Sequence, residues 1–319
     1  MKATNYILFA ATALMLAACS NDENLDTNAP VELRLTSSLD VQTRATHNLD
    51  TQLKNGEQVH VWVDDAITDG SLYANNILTA GANGALTGSE TMYFPETGNG
   101  VDIYAIHGNF APDADFTNFW GAEQTHSVAQ DQRTEQTTDG YAQSDLVYAK
   151  STDVARTKQA VNLTFAHLLS KVEVVLVRGE GYPNISKVEI LNTKLDATFT
   201  PNKADDISVT VSGTEGENPI EIDQTLTSRN NAAGTDESKK NLNEAVIVPQ
   251  TLASGTAFIR VTTNEGGALI YKLKEETTFA PATRYRYTVT ANLTGLEVTA
   301  TITPWDQKTG DDSGTAEME

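Results

Sequence analysis

Val161-Asn162-Leu163-Thr164-Phe165-Ala166-His167-Leu168-Leu169-Ser170-Lys171-Val172-Glu173-Val174 is the stretch whose reading decides the fold. Val161, Leu163 and Phe165 recur at every second residue, the period of a strand with one buried face. A second strand-like run opens at Lys171 and continues through Val177. Beyond it such segments crowd together at 187–191, 207–211, 245–248, 258–262 and 269–273. A second β-domain is therefore expected to begin near residue 168.

Towards the N-terminus, Val59-His60-Val61-Trp62-Val63 and Val101-Asp102-Ile103-Tyr104-Ala105 repeat the alternation. Val31, Leu33, Leu35, Leu39 and Val41 all fall on one face of an unusually long half-buried strand. Residues 79–88 and 95–100, rich in Gly, Asn and small polar side chains, read as turns and loops. Residues 110–144 hold few β-branched apolar side chains and read as a long surface excursion before a fresh strand at 146–149. Towards the C-terminus Tyr287, Val289, Ala291 and Leu293 share a face, and beyond Thr294-Gly295 so do Leu296, Val298, Ala300 and Ile302. A tight turn joining two amphipathic strands fits that spacing. The chain thus reads as all-β, with an N-terminal β-domain over 31–167, a C-terminal one over 168–305 and an acidic tail over 306–319 expected to lack order.

The first residues carry a different signal. Lys2 precedes the uncharged stretch 6–18, which ends in Leu16-Ala17-Ala18-Cys19. A short apolar run closed by small residues is the architecture of a cleavable signal peptide over 1–18, and the run is shorter than a spanning helix requires. Leu-Ala-Ala-Cys resembles the bacterial lipobox, which implies a diacylglyceryl group on Cys19; an ordinary secretory signal with an incidental cysteine is the alternative. Residues 19–30 are polar and acidic and read as a flexible lipidated tether. Cys19 is the only cysteine, so no intrachain disulfide supports the fold.

The formal charge of −21 becomes −22 once residues 1–18, with Lys2 and no acid, are removed. Such a chain repels nucleic acid and anionic headgroups, and no nucleic-acid partner is expected. His47, His60, His107, His126 and His167 lack the spacing of a zinc site, and there is no Gly-x-Ser-x-Gly elbow, phosphate loop or dinucleotide fingerprint. No catalytic residue, metal ligand or cofactor is assigned. Asp64-Asp65-Ala66-Ile67-Thr68-Asp69-Gly70 and Asp205-Asp206 lack the ordered calcium loop and read as solvated turns. Trp62, Trp120 and Trp305 could stack on sugar rings, but core packing is the simpler role for each.

A strand ending Phe165-Ala166-His167, then Leu169-Ser170-Lys171-Val172, resembles the mid-chain signature of the fimbrillin family, the Mfa-like lipoproteins of Bacteroidota. Cys19-Ser20-Asn21-Asp22-Glu23, Met92-Tyr93-Phe94-Pro95 before Asp102-Ile103-Tyr104-Ala105, and Thr301-Ile302-Thr303-Pro304-Trp305 agree with it in order and spacing. The resemblance implies a non-enzymatic subunit of a type V pilus, built of two tandem transthyretin-like β-sandwich domains and carried to the outer membrane as a lipid-anchored lipoprotein. The implied partners are other fimbrillin subunits, joined by strand exchange, and a host or bacterial surface receptor. In family stalk pilins a trypsin-like protease cuts after an arginine, discards the lipid and first strand, and opens an apolar groove for a neighbour's strand.

On that pattern the cut falls between Arg44 and Ala45, the displaced strand carries Val31, Leu33, Leu35, Leu39 and Val41, and Leu296, Val298, Ala300 and Ile302 are the candidate donor strand. A solvated loop arginine at Arg44, and a last strand that stays in its own domain, are the plain alternatives. Phe165 is expected to fill the core and His167 to satisfy a local hydrogen bond. The alternative function is a monomeric surface lipoprotein that binds glycan through its β-sandwich loops.

Overall fold

The computed structural model describes residues 29–39, 53–112, 114–133, 140–181, 184–204, 207–212, 219–264, 267–292 and 294–305. The signal segment, Cys19, Val41, Arg44, Ala45, His47, Asp205, Asp206 and the tail 306–319 lie outside the described residues.

In chain order the first strands are β1 (Leu35–Leu39), β2 (Gln58–Asp65), β3 (Ser71–Ala80), β4 (Ala85–Gly88), β5 (Val101–His107), β6 (Gln124–Ser127), β7 (Val147–Val154) and β8 (Val161–His167). All but β6 close a barrel in the order β1-β4-β3-β2-β5-β7-β8. The all-β expectation holds. The expected N-terminal sandwich is joined along both edges because β1 pairs on one side with β4 and on the other with β8. Inside lie Val59, Val61 and Val63 of β2, Val101, Ile103 and Ala105 of β5, and Leu163 and Phe165 of β8. Residues 79–88 depart from expectation. Only the turn around Asn83 (φ 59°) and Gly84 (φ 74°) reverses the chain, and β3 and β4 flank it. Their Asn, Ala and Gly residues have weak strand preference, so pairing with neighbours makes the strands.

The other faces of β2, β5 and β7 are buried as well. Trp62, Tyr104, Ile106 and Tyr148 point away from the barrel interior into a second core. Side chains from the described part of 110–144 enter that space, so the purely surface excursion expected there is corrected. Phe119 is fully buried and stacks on Trp62 at 4.7 Å, Phe116 stacks on His60 at 3.7 Å, and Trp120 meets Trp62 and Tyr104 edge-on at 5.2 Å. The burial comes from aromatic side chains spaced irregularly, which carry no two-residue period to read. The short helix α1 (Gly140–Ser144) places Tyr141 in the same core.

The remaining strands are β9 (Ser170–Arg178), β10 (Ile185–Ile190), β11 (Asp196–Phe199), β12 (Thr210–Ser212), β13 (Ile220–Ile222), β14 (Leu226–Thr227), β15 (Asn243–Ile247), β16 (Gln250–Leu252), β17 (Ala257–Thr263), β18 (Ala268–Lys272), β19 (Thr277–Phe279), β20 (Thr283–Asn292) and β21 (Gly295–Pro304). One sheet runs β14-β9-β20-β21 with β15 also on β9, and another runs β13-β10-β17-β18. Val172, Val174, Leu176, Tyr287 and Val289 of the first belong to one core with Val188, Ile190, Ile259 and Val261 of the second. Before residue 168, among the described strands, only β6 leaves the barrel, pairing with β11.

His126 on β6 is fully buried. Its Nδ1 accepts from the Asn109 amide at 3.0 Å, so Nε2 carries the proton and donates to the Ser144 carbonyl at 3.0 Å. Burial pushes its pKa down to about 4, and His60 is lowered in the same direction by burial. The unfolded chain takes up these protons near pH 6.5, so the stability tied to His126 is present above that pH and is lost as the pH falls towards 4. At pH 5 the loss from His126 is about 2 kcal/mol. Asp131 and Glu189, whose pKa values are lowered chiefly by hydrogen bonds from Arg133 and Arg260, lose their contributions only in a more acidic window. Urea unfolding at pH 7.5 and 5.0 is expected to show a lower midpoint at pH 5.0, and His126→Gln is expected to shrink the difference.

Candidate functional site

The predicted displaced strand occupies a slot. From Leu35 to Leu39 it runs parallel to β8, matching Leu35 to Val161 and Leu39 to Phe165, and antiparallel to β4, matching Leu35 to Leu86. The regular strand is shorter than the sequence pattern, yet the pairing continues. The Leu33 amide donates to Met92 O and the Phe94 amide to Val31 O, both at 2.9 Å. Val31, Leu33, Leu35 and Leu39 are buried in the barrel core, as is Ser37 between them. The opposite row stays near solvent, with Thr36 and Ser38 on either side of Asn162. Where the turn at Gly84 crosses β1, the Ser37 hydroxyl donates to the Gly84 carbonyl at 3.1 Å.

The predicted donor strand is at home. β21 forms a hairpin with β20 that pairs Ala291 with Leu296, Tyr287 with Ala300 and Tyr285 with Ile302. It is the last strand of its sheet, and Leu296, Ala300 and Ile302 are only half-buried. Its far end is anchored more firmly. Trp305 is buried, its amide donates to Ala282 O at 2.6 Å, and its indole stacks on His167 at 3.7 Å with an interplanar angle of 11°. His167, the last residue of β8, is held from the side by Asp145, whose Oδ1 lies 3.0 Å from Nδ1.

The ends of the two candidate strands meet. Leu39 and Trp305 line one small cavity together with Leu53, His107, Tyr141 and Asp145. Beneath Trp305 lies Lys171, fully buried, its ammonium 5.6 Å from the indole centre and 2.7 Å from Glu244. Glu173, equally buried, takes Arg286 at 2.7 Å. These charges are paired across neighbouring strands, the arrangement under which burial of ions is tolerated. Sequence reading had placed Phe165 in the core and His167 in a local contact, where both are found. It had missed that Trp305 returns to β8. The legible trace is phase, because Trp305 continues the row of Thr301 and Thr303 and a large aromatic on that row needs cover.

Asp65 caps its own turn, accepting from the Ile67 and Thr68 amides at 3.0 Å and from Asn99, with its pKa lowered chiefly by the Asn99 contact. The 64–70 stretch is thus not the solvated turn expected, because Asp64 and Asp65 are buried, the first paired with Lys203 and the second capping the turn that follows β2. Among the described residues no cluster of three or more His, Cys, Asp or Glu side chains could hold a metal ion. No helix among them is long and apolar enough to cross a membrane.

Residues 43–305 match the model of a family described as fimbrillin-like. No curated protein matches the chain. Among solved structures it resembles a candidate cell adhesion protein from Bacteroides uniformis, with 21% identity, 86% of this chain and 99% of that one covered, and a TM-score of 0.60. A candidate cell adhesion protein from Bacteroides ovatus matches at 15% identity over 88% of this chain and 100% of that one, again with a TM-score of 0.60. At these identities the likeness is one of fold.

Truncating either anchor is expected to be costly. Leu35→Ala should lose about 2–5 kcal/mol and Trp305→Ala about 3–5 kcal/mol, while Thr299→Ala on the exposed row should stay within about 0.5 kcal/mol. Urea titrations of the three variants check the ranking.

Proposed function

This chain belongs to the fimbrillin-like family, and from that membership we propose that it is exported as a lipoprotein on Cys19 and joined to its neighbours by donor-strand exchange after cleavage between Arg44 and Ala45. Membership itself makes it a cell-surface fimbrial subunit that associates with other pilus subunits, and points to a structural or adhesive role rather than a catalytic one.

The observation that carries the finer reading is the double-sided slot of β1. Removing the strand would bare the backbone of β4 on one side and of β8 on the other, with Leu86, Leu163 and Phe165 left facing the gap. An open sheet edge lined with apolar side chains binds an extended segment through ladder hydrogen bonds and alternate pockets. Arg44-Ala45 follows the strand closely in sequence, so one cut there would separate lipid and strand together from two tandem domains divided near residue 168. Burying each leucine or valine of a replacement strand contributes roughly 1.5–3 kcal/mol before association costs. The barrel therefore has both a reason to keep β1 until export is complete and a driving force to replace it. Anchorage in the outer membrane through the lipid would hold the subunit at the surface before the cut.

The second reading, a monomeric lipoprotein that binds glycan, draws on an open groove of about 960 Å³ beside the short helix α2 (Arg229–Ala233). Thr288, Thr290, Thr299, Glu180 and Arg229 line it and offer hydrogen bonds of the kind that sugar hydroxyls take. Among the described residues no aromatic ring lines it, and the reading therefore rests on hydrogen bonds alone.

Mass spectrometry of material from native fibres should show Ala45 as the N-terminus, while the membrane-bound precursor carries an acylated Cys19. Arg44→Gln should keep the acylated form and stay out of fibres. Fibres built of acylated Cys19 chains would overturn the cleavage step.

A further inference from the structure

An ion pair joins the two halves of the chain at a place where both partners are held. Lys203 lies in the bend that follows β11, and its ammonium meets Asp64 Oδ2 on β2, 139 residues earlier in sequence. We infer that this pair is a modification site, at which Lys203 Nζ and Asp64 Cγ condense into an isopeptide bond without an added enzyme or cofactor. The inference is independent of how subunits join one another. It concerns the inside of one chain.

Asp64 is fixed by the sheet, paired with Ser71 of β3 on one side and with Asp102 of β5 on the other. Its side chain is 7% exposed, and Oδ1 is buried with no hydrogen-bond partner among the described residues. A carboxylate with one dry oxygen is costly as an ion, and an amide carries no charge at that place. Lys203 comes to it on an anchored bend. The Gly121 amide donates to Pro201 O at 2.8 Å, the Ala204 amide to Asn202 Oδ1 at 2.9 Å, and Lys150 Nζ to Lys203 O at 2.5 Å. The ammonium lies 5.3 Å from the ring centre of Tyr104 and 5.4 Å from that of Trp120, so two aromatic rings flank the pair. The side chain of Lys203 is 33% exposed, and that open side is the exit for the water released.

The reaction is a condensation. The ammonium passes one proton to the carboxylate, which gives an amine and a carboxylic acid; the nitrogen lone pair then attacks Asp64 Cγ and the C–N bond forms. The bond from Cγ to the hydroxyl breaks, the hydroxyl takes the proton that nitrogen releases, and one water leaves. Nothing is oxidised or reduced. Asp102 is placed to hold the proton in transit, since cross-strand partners share a face and it stands directly opposite Asp64. Its own position is set by the Asp153 amide, which donates to Oδ1 at 2.8 Å. Well-oriented groups within one molecule act at effective concentrations of about 10⁵–10⁸ M, far above that of water, so closure outruns hydrolysis.

The bond ties β2 of the barrel to the bend between β11 and β12, where the later sheets begin. A chain with a single cysteine has no disulfide to serve that purpose. When the two ends of the chain are pulled, load crosses directly from Asp64 to Lys203, and residues 65–202 are left out of its path. A subunit loaded along a fibre then keeps most of its barrel folded.

Intact mass and peptide mapping of the folded full chain test the bond. The chain is expected to be lighter than its sequence by one water, and its digest to contain a branched peptide that carries Asp64 and Lys203 together. Lys203→Met is expected at full mass. Finding Asp64 and Lys203 in separate linear peptides overturns the bond, whether the chain keeps its full mass or has lost water elsewhere. Asp102→Asn should give a mixture of bonded and full-mass chains, because removing a positioned proton carrier slows such a step about a hundredfold or more. A fully bonded Asp102→Asn chain overturns that role for Asp102 and leaves the bond standing.

Discussion

A sheet closed on itself has no free edge, and in this molecule closure depends on the five residues of β1. Among the described barrel strands every pairing is antiparallel except that of β1 with β8, and β1 is the strand that bridges β4 and β8. Parallel neighbours cannot be linked by a tight turn. The strand is thus connected to the barrel by pairing and burial rather than by a hairpin. A segment attached in that way can be removed without unthreading the rest of the chain.

The second core explains how the remainder would survive such a removal. The leucines of β1 belong to the barrel core, whereas Trp62, Tyr104, Ile106 and Tyr148 on the outer faces of β2, β5 and β7 belong to the core shared with the later sheets. Three barrel strands are therefore gripped on both faces and do not rely on β1 alone for burial. The buried ions near the barrel end tighten the same region. Lys171 faces Glu244 and Glu173 faces Arg286, and an ion stripped of its partner there would meet the desolvation cost alone. The position of Trp305 over Lys171 and His167 ties the last strand to this anchored region rather than to the seam.

What the sequence disclosed follows the same division. Strands with one solvent face were legible, because Val31 to Leu39 and Leu296 to Ile302 alternate cleanly, and the tight turn before Leu296 was read from Thr294-Gly295. The inward packing of Phe116, Phe119 and Trp120 was not, since these side chains act through ring stacking that follows no period. Strands β3 and β4 were hidden for another reason, as their Asn, Ala and Gly residues become strand only through the partners on either side. Lys171 in an apolar run was visible as an oddity, but its partner Glu244 lies far along the chain and no local rule joins them.

The apolar alternation common to β1 and β21 bears on why, under the proposed exchange, a covalent cut would be needed at all. If the two strands fit one slot about equally well, a neighbour's β21 gains no advantage from its contacts. While β1 remains part of the chain it competes as an intramolecular ligand, at an effective concentration on the order of millimolar for a short connection. A neighbour's strand at ordinary subunit concentrations would lose that contest. It must also leave its own hairpin and withdraw Trp305 from the stack on His167. Under the proposed exchange, severing the chain at Arg44 would remove the intramolecular advantage in one step, since a freed β1 would dilute away while donor strands accumulated along the fibre. On these physical grounds assembly under the proposed exchange would be governed by the cut and not by a difference in affinity.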